Sequence, residues 1–174
     1  MNKENHTDQK ESHQYLEIHG DYRMRELDKS DLEQFNALLQ YAFQVTSYEL
    51  FQTGWELDEI KYAKRPILEA AYVLGWFYKD RLASMIVVYS MKVNIHDNIM
   101  DMGGITGVAT YPEYTGRGLI HSLIKRAIDY MRKQEFSISF LYPYSIPFYR
   151  KMGWEIVSNK ISYTVKDRQI PTTP

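Results

Sequence analysis

Apolar and polar residues along the chain follow helical spacing in some segments and strand-like alternation in others. An alternating stretch at 22–27 fits a first strand, and a capping box at 30–33 then precedes apolar residues at helical spacing. The same capping pattern at 46–49 opens a second helix, which is interrupted at Gly54 and resumes to Ala63. The predicted buried stripe of the first helix comprises Leu32, Phe35, Leu38, Leu39, Ala42 and Phe43.

Three strands follow in the middle of the chain. Residues 71–78, 82–95 and 99–110 are rich in β-branched and aromatic residues, and polar turns separate them at 79–81 and 96–98. We therefore expect a meander. Glycines in the third strand predict a bulge or the close approach of a ligand. They are Gly103, Gly104 and Gly107. For the pair Gly103 and Gly104, a bulge that opens the sheet for a cofactor and a plain kink are the two alternatives.

The last third of the chain predicts a long helix, a strand, a short helix and two short strands. The strand covers 136–142, the short helix 145–153, and the closing strands 154–157 and 161–165. The resulting order, β-α-α-β-β-β-α-β-α-β-β, predicts an α/β or α+β fold with a mixed sheet. The buried face of the long helix is predicted to comprise Leu119, Ile120, Leu123, Ile124, Ala127, Ile128 and Met131.

Composition narrows the class of protein. The chain has 174 residues, no cysteine and a net charge of −1 from 21 Lys and Arg against 22 Asp and Glu. The length fits one domain, and the missing cysteines exclude disulfides, cysteine–zinc sites and thiol nucleophiles. The balanced charge removes the overall electrostatic argument for nucleic acid, and no apolar run is long enough to span a bilayer. We therefore expect a soluble, cytoplasmic protein with neither nucleic acid nor membrane as a partner.

The polar ends of the chain are expected to lie outside the folded domain. Residues 1–20 predict a disordered tail, because little apolar surface is available there to offset the cost of ordering. The folded domain is assigned to 21–168, and 169–174 form a C-terminal tail or the start of a linker. The histidines of the first tail have no spacing that suggests a metal site, so no metal is expected. They are His6, His13 and His19.

The segment from 108 to 121 carries the clearest chemical signal. It runs from a strand through a glycine turn into a helix, so free helical N–H groups and the positive end of the helix dipole face the turn. Gly116 and Gly118 have no side chains that would block a phosphate, and Arg117 adds a positive charge. This arrangement predicts an anion-binding site. The alternative is that the two glycines only permit a tight connection.

Two motifs taken together resemble the GCN5-related N-acetyltransferase (GNAT) superfamily over residues 22–166. The first is Pro112-Glu-Tyr-Thr-Gly-Arg-Gly-Leu before the long helix, and the second is Phe148-Tyr-Arg-Lys-Met-Gly-Trp after the next strand. The resemblance implies a mixed, mostly antiparallel sheet flanked by helices, with acetyl-CoA as co-substrate and an amine as acceptor. Thr115 and Ile120 depart from the family pattern, which has a basic residue and a small residue there.

The large residue at 120 and the 148–154 motif also resemble the enhanced-intracellular-survival (Eis) subfamily. That subfamily acetylates aminoglycosides and other amines. Its chain continues into further domains, its terminal carboxylate reaches back into the active site, and its members form larger assemblies. The resemblance therefore leaves two alternatives, a stand-alone relative or the first domain of a longer protein, and leaves a homo-oligomer open.

The resemblance implies a role for each matching residue. Val108, Ala109 and Thr110 match strand positions whose backbone holds the pantetheine arm and thioester. Tyr149 matches the tyrosine that assists departure of the CoA thiolate. The pyrophosphate loop is matched by Gly116, Arg117, Gly118, Leu119, Ile120 and His121. Two further positions beside the cofactor are matched by Tyr144 and Ser145.

The implied mechanism is direct attack of a neutral amine on the thioester, with free N–H groups near Val108 stabilising the oxyanion. Full proton transfer from the Tyr149 phenol to the thiolate is uphill by roughly 2 kcal/mol at ordinary pKa values, so hydrogen bonding is expected to matter as much. No motif residue identifies a general base. A non-catalytic acyl-CoA-binding module is the second hypothesis, and an α/β protein with an unrelated anion site is the third.

Overall fold

A mixed six-stranded sheet forms the centre of the computed structural model, which describes residues 14–44 and 64–159. The spatial order of the strands follows the chain, and neighbours are antiparallel except for the last pair, which is parallel. The predicted fold class, a mostly antiparallel sheet flanked by helices, is thereby confirmed. The strands are β1 (Glu17–His19), β2 (Tyr22–Glu26), β3 (Tyr72–Tyr78), β4 (Arg81–Ile95), β5 (Asn98–Thr110) and β6 (Ile138–Leu141).

The described part of the chain contains four α-helices. They are α1 (Leu32–Phe43), α2 (Arg65–Ala70), α3 (Leu119–Lys133) and α4 (Ile146–Arg150), with short 3-10 turns at Lys29–Asp31 and Pro112–Tyr114. The chain divides after Tyr142 into two compact units, and α4 belongs to the second. None of these helices is long and apolar enough to cross a membrane.

Both predicted hairpins of the meander are present. Lys79 and Asp80 join β3 to β4, and His96 and Asp97 join β4 to β5, each residue with a positive φ between 49° and 68°. Two consecutive residues with positive φ are characteristic of the type I′ turn, whose twist matches that of the two strands in a hairpin with a two-residue loop. Gln34 of α1 holds the first turn in place, since its amide donates to the Asp80 carbonyl and accepts from the N–H of residue 82.

The capping box before the first helix lies two residues upstream of its predicted position, at a 3-10 turn that leads into α1. Asp28 accepts from the N–H of Ser30, and Asp31 accepts from the N–H of Asp28, so the capping box spans 28–31 and the prediction at 30–33 was wrong. The cause is the 3-10 turn before α1, which moves the free N–H groups upstream. Of the predicted buried stripe, Leu39 is half-buried, and Ala42 and Phe43 are exposed. The three that are buried as predicted are Leu32, Phe35 and Leu38.

A buried ion pair joins β2 to the start of α1. The Arg25 guanidinium donates from Nη1 and Nη2 to the two Asp31 carboxylate oxygens, at 2.6 and 2.8 Å. It also lies 3.8 Å from the centroid of the Phe77 ring in β3. Both charged residues are less than one-tenth exposed, so each compensates the other for the loss of water.

Residues 14–20 differ from the tail expected for 1–20. Glu17 to His19 form β1 and pair with β2, and the N–H of Leu16 donates to the Met24 carbonyl at 2.8 Å. This strand escaped prediction because it uses backbone hydrogen bonds and leaves its side chains exposed. The rest of that tail, the helix predicted for 46–63 and the tail predicted for 169–174 lie outside the described residues. The short helix α2 was not predicted.

The second compact unit is described from residue 143 to 159, and its helix ends at Arg150, three residues before the predicted end, with a turn that closes on the predicted terminating glycine. Gly153 has φ +100°, its N–H bonds to the Arg150 carbonyl, and the N–H of Trp154 bonds to the Tyr149 carbonyl. These two bonds form a Schellman motif. The strand predicted for 154–157 is absent: this stretch has no regular structure, and its predicted partner at 161–165 lies outside the described residues.

Candidate functional site

A β-bulge interrupts the pairing of β4 and β5 near the end of β5. Met85 pairs with Ala109 and Val87 pairs with Thr106, so β5 has one extra residue in this interval. Gly107 lies there with φ +56°, a conformation that favours glycine. Of the three glycines predicted to form a bulge, Gly107 does so, whereas Gly103 and Gly104 remain in register with β4, and a Cβ on either would meet methionine sulfur.

Beyond Ile105 the outer edge of β5 is free among the described residues. The parallel pairing with β6 runs from Met102 to Ile105, whereas β5 continues to Thr110. On the other side β4 still pairs with this last stretch, which keeps it extended. The backbone of 106–110 therefore offers one side to a ligand that can hydrogen-bond as an added strand would.

The predicted cofactor residues of the strand lie on this free edge. Val108 and Thr110 are half-buried and Ala109 is buried in the core beside α1. Ser84 of β4 fixes the end of the strand, because its buried hydroxyl lies 3.1 Å from the Ala109 carbonyl oxygen and 2.7 Å from Thr110 Oγ1. Sequence reasoning missed Ser84, which resembles any other small residue inside an apolar strand.

An open glycine loop connects β5 to α3. Gly116 and Gly118 have φ values of +73° and +75°, and a Cβ built on either would meet no atom within 4 Å. These glycines therefore leave the approach to the helix unobstructed and adopt a backbone conformation that other residues disfavour. Both the tight connection and the anion site considered for this segment are compatible with that geometry.

The N-terminal turn of α3 presents unused donors to the loop. Its first backbone bond runs from the N–H of Ser122 to the Gly118 carbonyl at 3.2 Å. Within residues 14–44 and 64–159 no backbone carbonyl accepts from the N–H groups of Leu119, Ile120 or His121. No acidic side chain lies in this first turn, so the helix dipole is left for an external anion.

Thr115 and Arg117 differ in what they can offer to that anion. The Thr115 hydroxyl donates to the Pro112 carbonyl at 2.8 Å, so it stabilises the loop. Arg117 is exposed, and its guanidinium has one long hydrogen bond, 3.5 Å to the Glu113 carbonyl. Leu119 is buried, Ile120 half-buried and His121 exposed, so His121 is the most accessible of these three side chains.

Three tyrosines lie against the same loop. The Tyr22 ring is 5.0 Å from Tyr78 and 6.2 Å from Tyr114, measured between centroids, and Arg117 Cζ lies 6.0 Å from the Tyr22 centroid. Beneath them, Trp76 Nε1 donates to Ser122 Oγ in the first turn of α3 at 2.8 Å. Sequence reasoning missed this cluster because its members come from three elements that are distant in the sequence: β2, β3 and the 3-10 turn at Pro112–Tyr114.

Residues predicted near the leaving group lie in the second compact unit. Tyr149 is 7% exposed, with its ring 5.1 Å from Phe148 and 6.4 Å from Trp154 between centroids. Burial raises the pKa of the Tyr149 phenol above its ordinary value. Tyr144 is fully exposed, and Ser145 occupies the N-cap position of α4 without a side-chain cap bond.

No metal centre was predicted, and the described ranges hold no group of three or more histidine, aspartate or glutamate residues that could bind one.

Comparison with known proteins identifies a family. The model of the acetyltransferase (GNAT) domain matches residues 23–157, which is most of the chain. The matched range begins in β2 and includes the bulge, the glycine loop, α3 and α4. No curated protein matches the chain.

Solved structures show the same fold. A conserved protein of unknown function from Enterococcus faecalis V583, described as a probable N-acyltransferase, is 29% identical with a TM-score of 0.68, covering 77% of this chain and 32% of its own. A GCN5-related N-acetyltransferase from Kribbella flavida is 22% identical with a TM-score of 0.63, covering 76% and 32%. A predicted acetyltransferase from Clostridium acetobutylicum, solved with acetyl-CoA, is 14% identical with a TM-score of 0.64, covering 82% and 96%.

Proposed function

The chain belongs to the GNAT acetyltransferase family, and on this premise we propose that it transfers the acetyl group of acetyl-CoA to a primary amine. The observation that carries the proposal is the family match across 23–157, which includes both motifs on which the resemblance to this family rests. The free edge of β5 and the open loop before α3 support it, because they offer backbone donors to an extended, phosphate-bearing ligand.

In this proposal the free edge of β5 binds the pantetheine arm and thioester. Val108, Ala109 and Thr110 act through their backbone, and the bulge at Gly107 gives this stretch one residue without a pairing partner in β4, whose N–H is left for the ligand. Such a donor stabilises the negative charge that develops on the thioester oxygen during attack. Ser84 supports this role by holding the Ala109 and Thr110 end of the strand.

The pyrophosphate is assigned to the loop and the first turn of α3. The N–H groups of Leu119, Ile120 and His121 supply hydrogen bonds, and Gly116 and Gly118 leave space. Backbone donors can replace much of what the family's basic residue supplies at position 115. Arg117 then provides the positive side chain of the loop. Tyr144 and Ser145 are the further residues that the family resemblance assigns to the cofactor.

The chemical step is direct transfer. The neutral amine nitrogen attacks the thioester carbon, the carbon–sulfur bond breaks, and the electron pair leaves on the CoA sulfur. The attacking nitrogen loses a proton to water or to a base that the motifs do not identify. Tyr149 donates a hydrogen bond to the departing sulfur, and its raised pKa favours this role over complete proton transfer.

The proposed function also includes an acceptor, a location in the cell and an arrangement of the whole protein. We assign the acceptor to the primary amines, either a small aminoglycoside-like molecule or an amine of a peptide or protein, and the location to the cytoplasm. The chain spans 32% of the length of the Enterococcus and Kribbella proteins. For the whole molecule we propose a longer, Eis-like protein. This chain is its first domain, and the protein has the oligomeric contacts of that subfamily.

A second function has one observation in its favour. The Thr115 hydroxyl is engaged with the Pro112 carbonyl, so the position of the family's basic residue contributes no charge to a phosphate. This departure from the family pattern motivates the second candidate, a non-catalytic acyl-CoA-binding module, because such a module does not have to keep every position that catalysis needs. It predicts binding of acetyl-CoA without turnover.

A thiol-release assay separates these functions. Because the chain has no cysteine, a thiol reagent detects only the CoA produced. The purified full chain is incubated with acetyl-CoA and a panel of amines comprising aminoglycosides, polyamines and lysine peptides. Amine-dependent release over many turnovers supports the proposed enzyme. Saturable acetyl-CoA binding with no release from any amine supports the binding module and contradicts the enzyme.

A further inference from the structure

We propose that Tyr22 is a positioning residue for the phosphate-bearing end of acetyl-CoA, because its ring holds the Arg117 guanidinium beside the glycine loop. This inference rests on the proposed function and deepens it. Tyr22 begins β2, far from both family motifs in the sequence, and neither motif assigns it a role.

Arg117 has few other contacts that could fix its position. Its side chain is exposed, and no carboxylate in 14–44 or 64–159 forms an ion pair with it. Its hydrogen bond to the Glu113 carbonyl is long, at 3.5 Å. The remaining contact is the Tyr22 ring, whose centroid lies 6.0 Å from Cζ. A guanidinium at this distance from an aromatic ring is attracted by the ring quadrupole.

The ring is itself held firmly. Tyr22 meets Trp76 and Tyr114 edge to face, with centroids at 6.5 and 6.2 Å, and lies 5.0 Å from Tyr78. Tyr114 ends the 3-10 turn that leads into the loop, and Trp76 bonds to Ser122 in α3. The tyrosine cluster thus connects both ends of the glycine loop to β2 and β3. An arginine restrained by such a cluster loses less side-chain entropy when a phosphate binds.

The positive charge of Arg117 lies beside the N-terminus of α3 and is available to bind an anion. The carbonyl of Glu113 cannot neutralise Arg117, and the first turn of α3 has no acidic residue. Phosphate oxygens of the CoA nucleotide are the anions that the proposed function brings to this loop. The pantetheine arm is uncharged, so it gains nothing from Arg117. Tyr22 therefore acts on the phosphates alone.

Binding of CoA and of pantetheine to the full chain, measured by calorimetric titration, tests the inference. We expect Tyr22→Leu to weaken CoA binding about two- to five-fold, the effect of a cation–π contact at an exposed site, and to leave pantetheine binding unchanged. Tyr22→Phe keeps the ring face and is expected to bind CoA as the wild type does. In an Arg117→Met background, Tyr22→Leu should cause no further loss, and added salt should diminish the Tyr22→Leu effect.

A second variant guards against misfolding of Tyr22→Leu. Arg117→Lys keeps the charge, leaves the tyrosine cluster intact and removes the planar guanidinium, so we expect a similar two- to five-fold loss. The matched control is Tyr15→Leu, which removes a ring that lies 5.8 Å from Arg23 and should leave CoA binding unchanged.

Each contrary outcome has a definite meaning. Unchanged CoA binding by Tyr22→Leu, or wild-type binding by Arg117→Lys, overturns the inference and leaves the proposed function intact. An equal loss for CoA and pantetheine shows that Tyr22 acts only through the fold, which also overturns it. A folded wild-type chain that binds no CoA overturns the proposed function, and this inference with it.

Discussion

Burial of the Tyr149 phenol decides what this residue can contribute to acetyl transfer. The transfer of a proton from an ordinary phenol to a thiolate is already uphill by roughly 2 kcal/mol. Because burial raises the pKa of Tyr149, that cost increases and the hydroxyl stays protonated over a wider pH range. A neutral hydrogen-bond donor to the departing sulfur is the role that this environment favours.

Replacement of Tyr149 by phenylalanine tests that role. We expect Tyr149→Phe to lower kcat by about 10²–10⁴-fold with little change in CoA affinity, since only the hydroxyl is lost. Because the pKa is raised, wild-type activity that depends on the protonated phenol should persist as pH rises through 10. Steady-state rates across pH measure both effects. Tyr142→Phe, at an exposed tyrosine, is the control, and an unchanged rate for Tyr149→Phe would remove it from the mechanism.

The buried ion pair of Arg25 and Asp31 gives a prediction about stability. Asp31→Asn leaves the guanidinium buried without its carboxylate, which should lower the free energy of unfolding by about 3–5 kcal/mol. Urea denaturation measures this change. The matched control is Asp101→Asn, because Asp101 accepts from Lys92 at a similar 2.7 Å but both side chains are largely exposed. That variant should lie within about 1 kcal/mol of wild type, and equal effects would show that burial does not set the strength of the pair.

Among the elements, those with a strong period were predictable. The apolar residues of α3 repeat at helical spacing, and five of the seven predicted are buried while Ile120 and Ile128 are half-buried. The three long strands and their polar turns were recovered within one residue at each end. Such elements bury one continuous face, so their apolar side chains recur in the sequence at the spacing of a helix or a strand.

Elements held by backbone or by distant partners were not predictable. β1 pairs through its backbone with exposed side chains, and the 154–157 stretch is apolar enough to suggest a strand that the structure lacks. In that stretch Glu155 bonds to Arg150 and to the N–H of Ile156. The sequence also could not single out Gly107 as the site of the bulge, because three glycines in one strand look alike until the cross-strand register is known.

The bulge at Gly107 yields a prediction at the scale of the sheet. An alanine there must adopt a positive φ, and its Cβ would lie 2.7 Å from Val87 Cγ2 in the core. The backbone penalty and the overpacking together should lower the free energy of unfolding by about 2–5 kcal/mol. Gly20→Ala is the control, since Gly20 has φ +58° but open space around it, and should cost about 1–2 kcal/mol. Denaturation curves that coincide would contradict the packing argument.

At the scale of the whole molecule, the two family motifs lie in different compact units. The glycine loop belongs to the unit that ends at Tyr142, and Tyr149 belongs to the unit that follows. The structure of the first motif was predictable because its glycines and the start of the helix lie next to each other in the sequence, and together they indicate an anion site. The supporting residues Tyr22, Ser84 and Trp76 were not, because their contacts depend on strand order and register. The roles assigned to individual site residues remain predictions.

The central claim, that this chain binds acetyl-CoA at the loop before α3, is tested most directly by calorimetric titration with acetyl-CoA and then CoA. The account predicts micromolar, saturable binding by the full chain. It also predicts at least a tenfold loss in Gly118→Ala, whose methyl group enters the open approach to the helix, and no loss in Gly20→Ala, which has the same backbone requirement elsewhere. A folded chain that does not bind acetyl-CoA, or that binds it equally well as Gly118→Ala, would contradict the account.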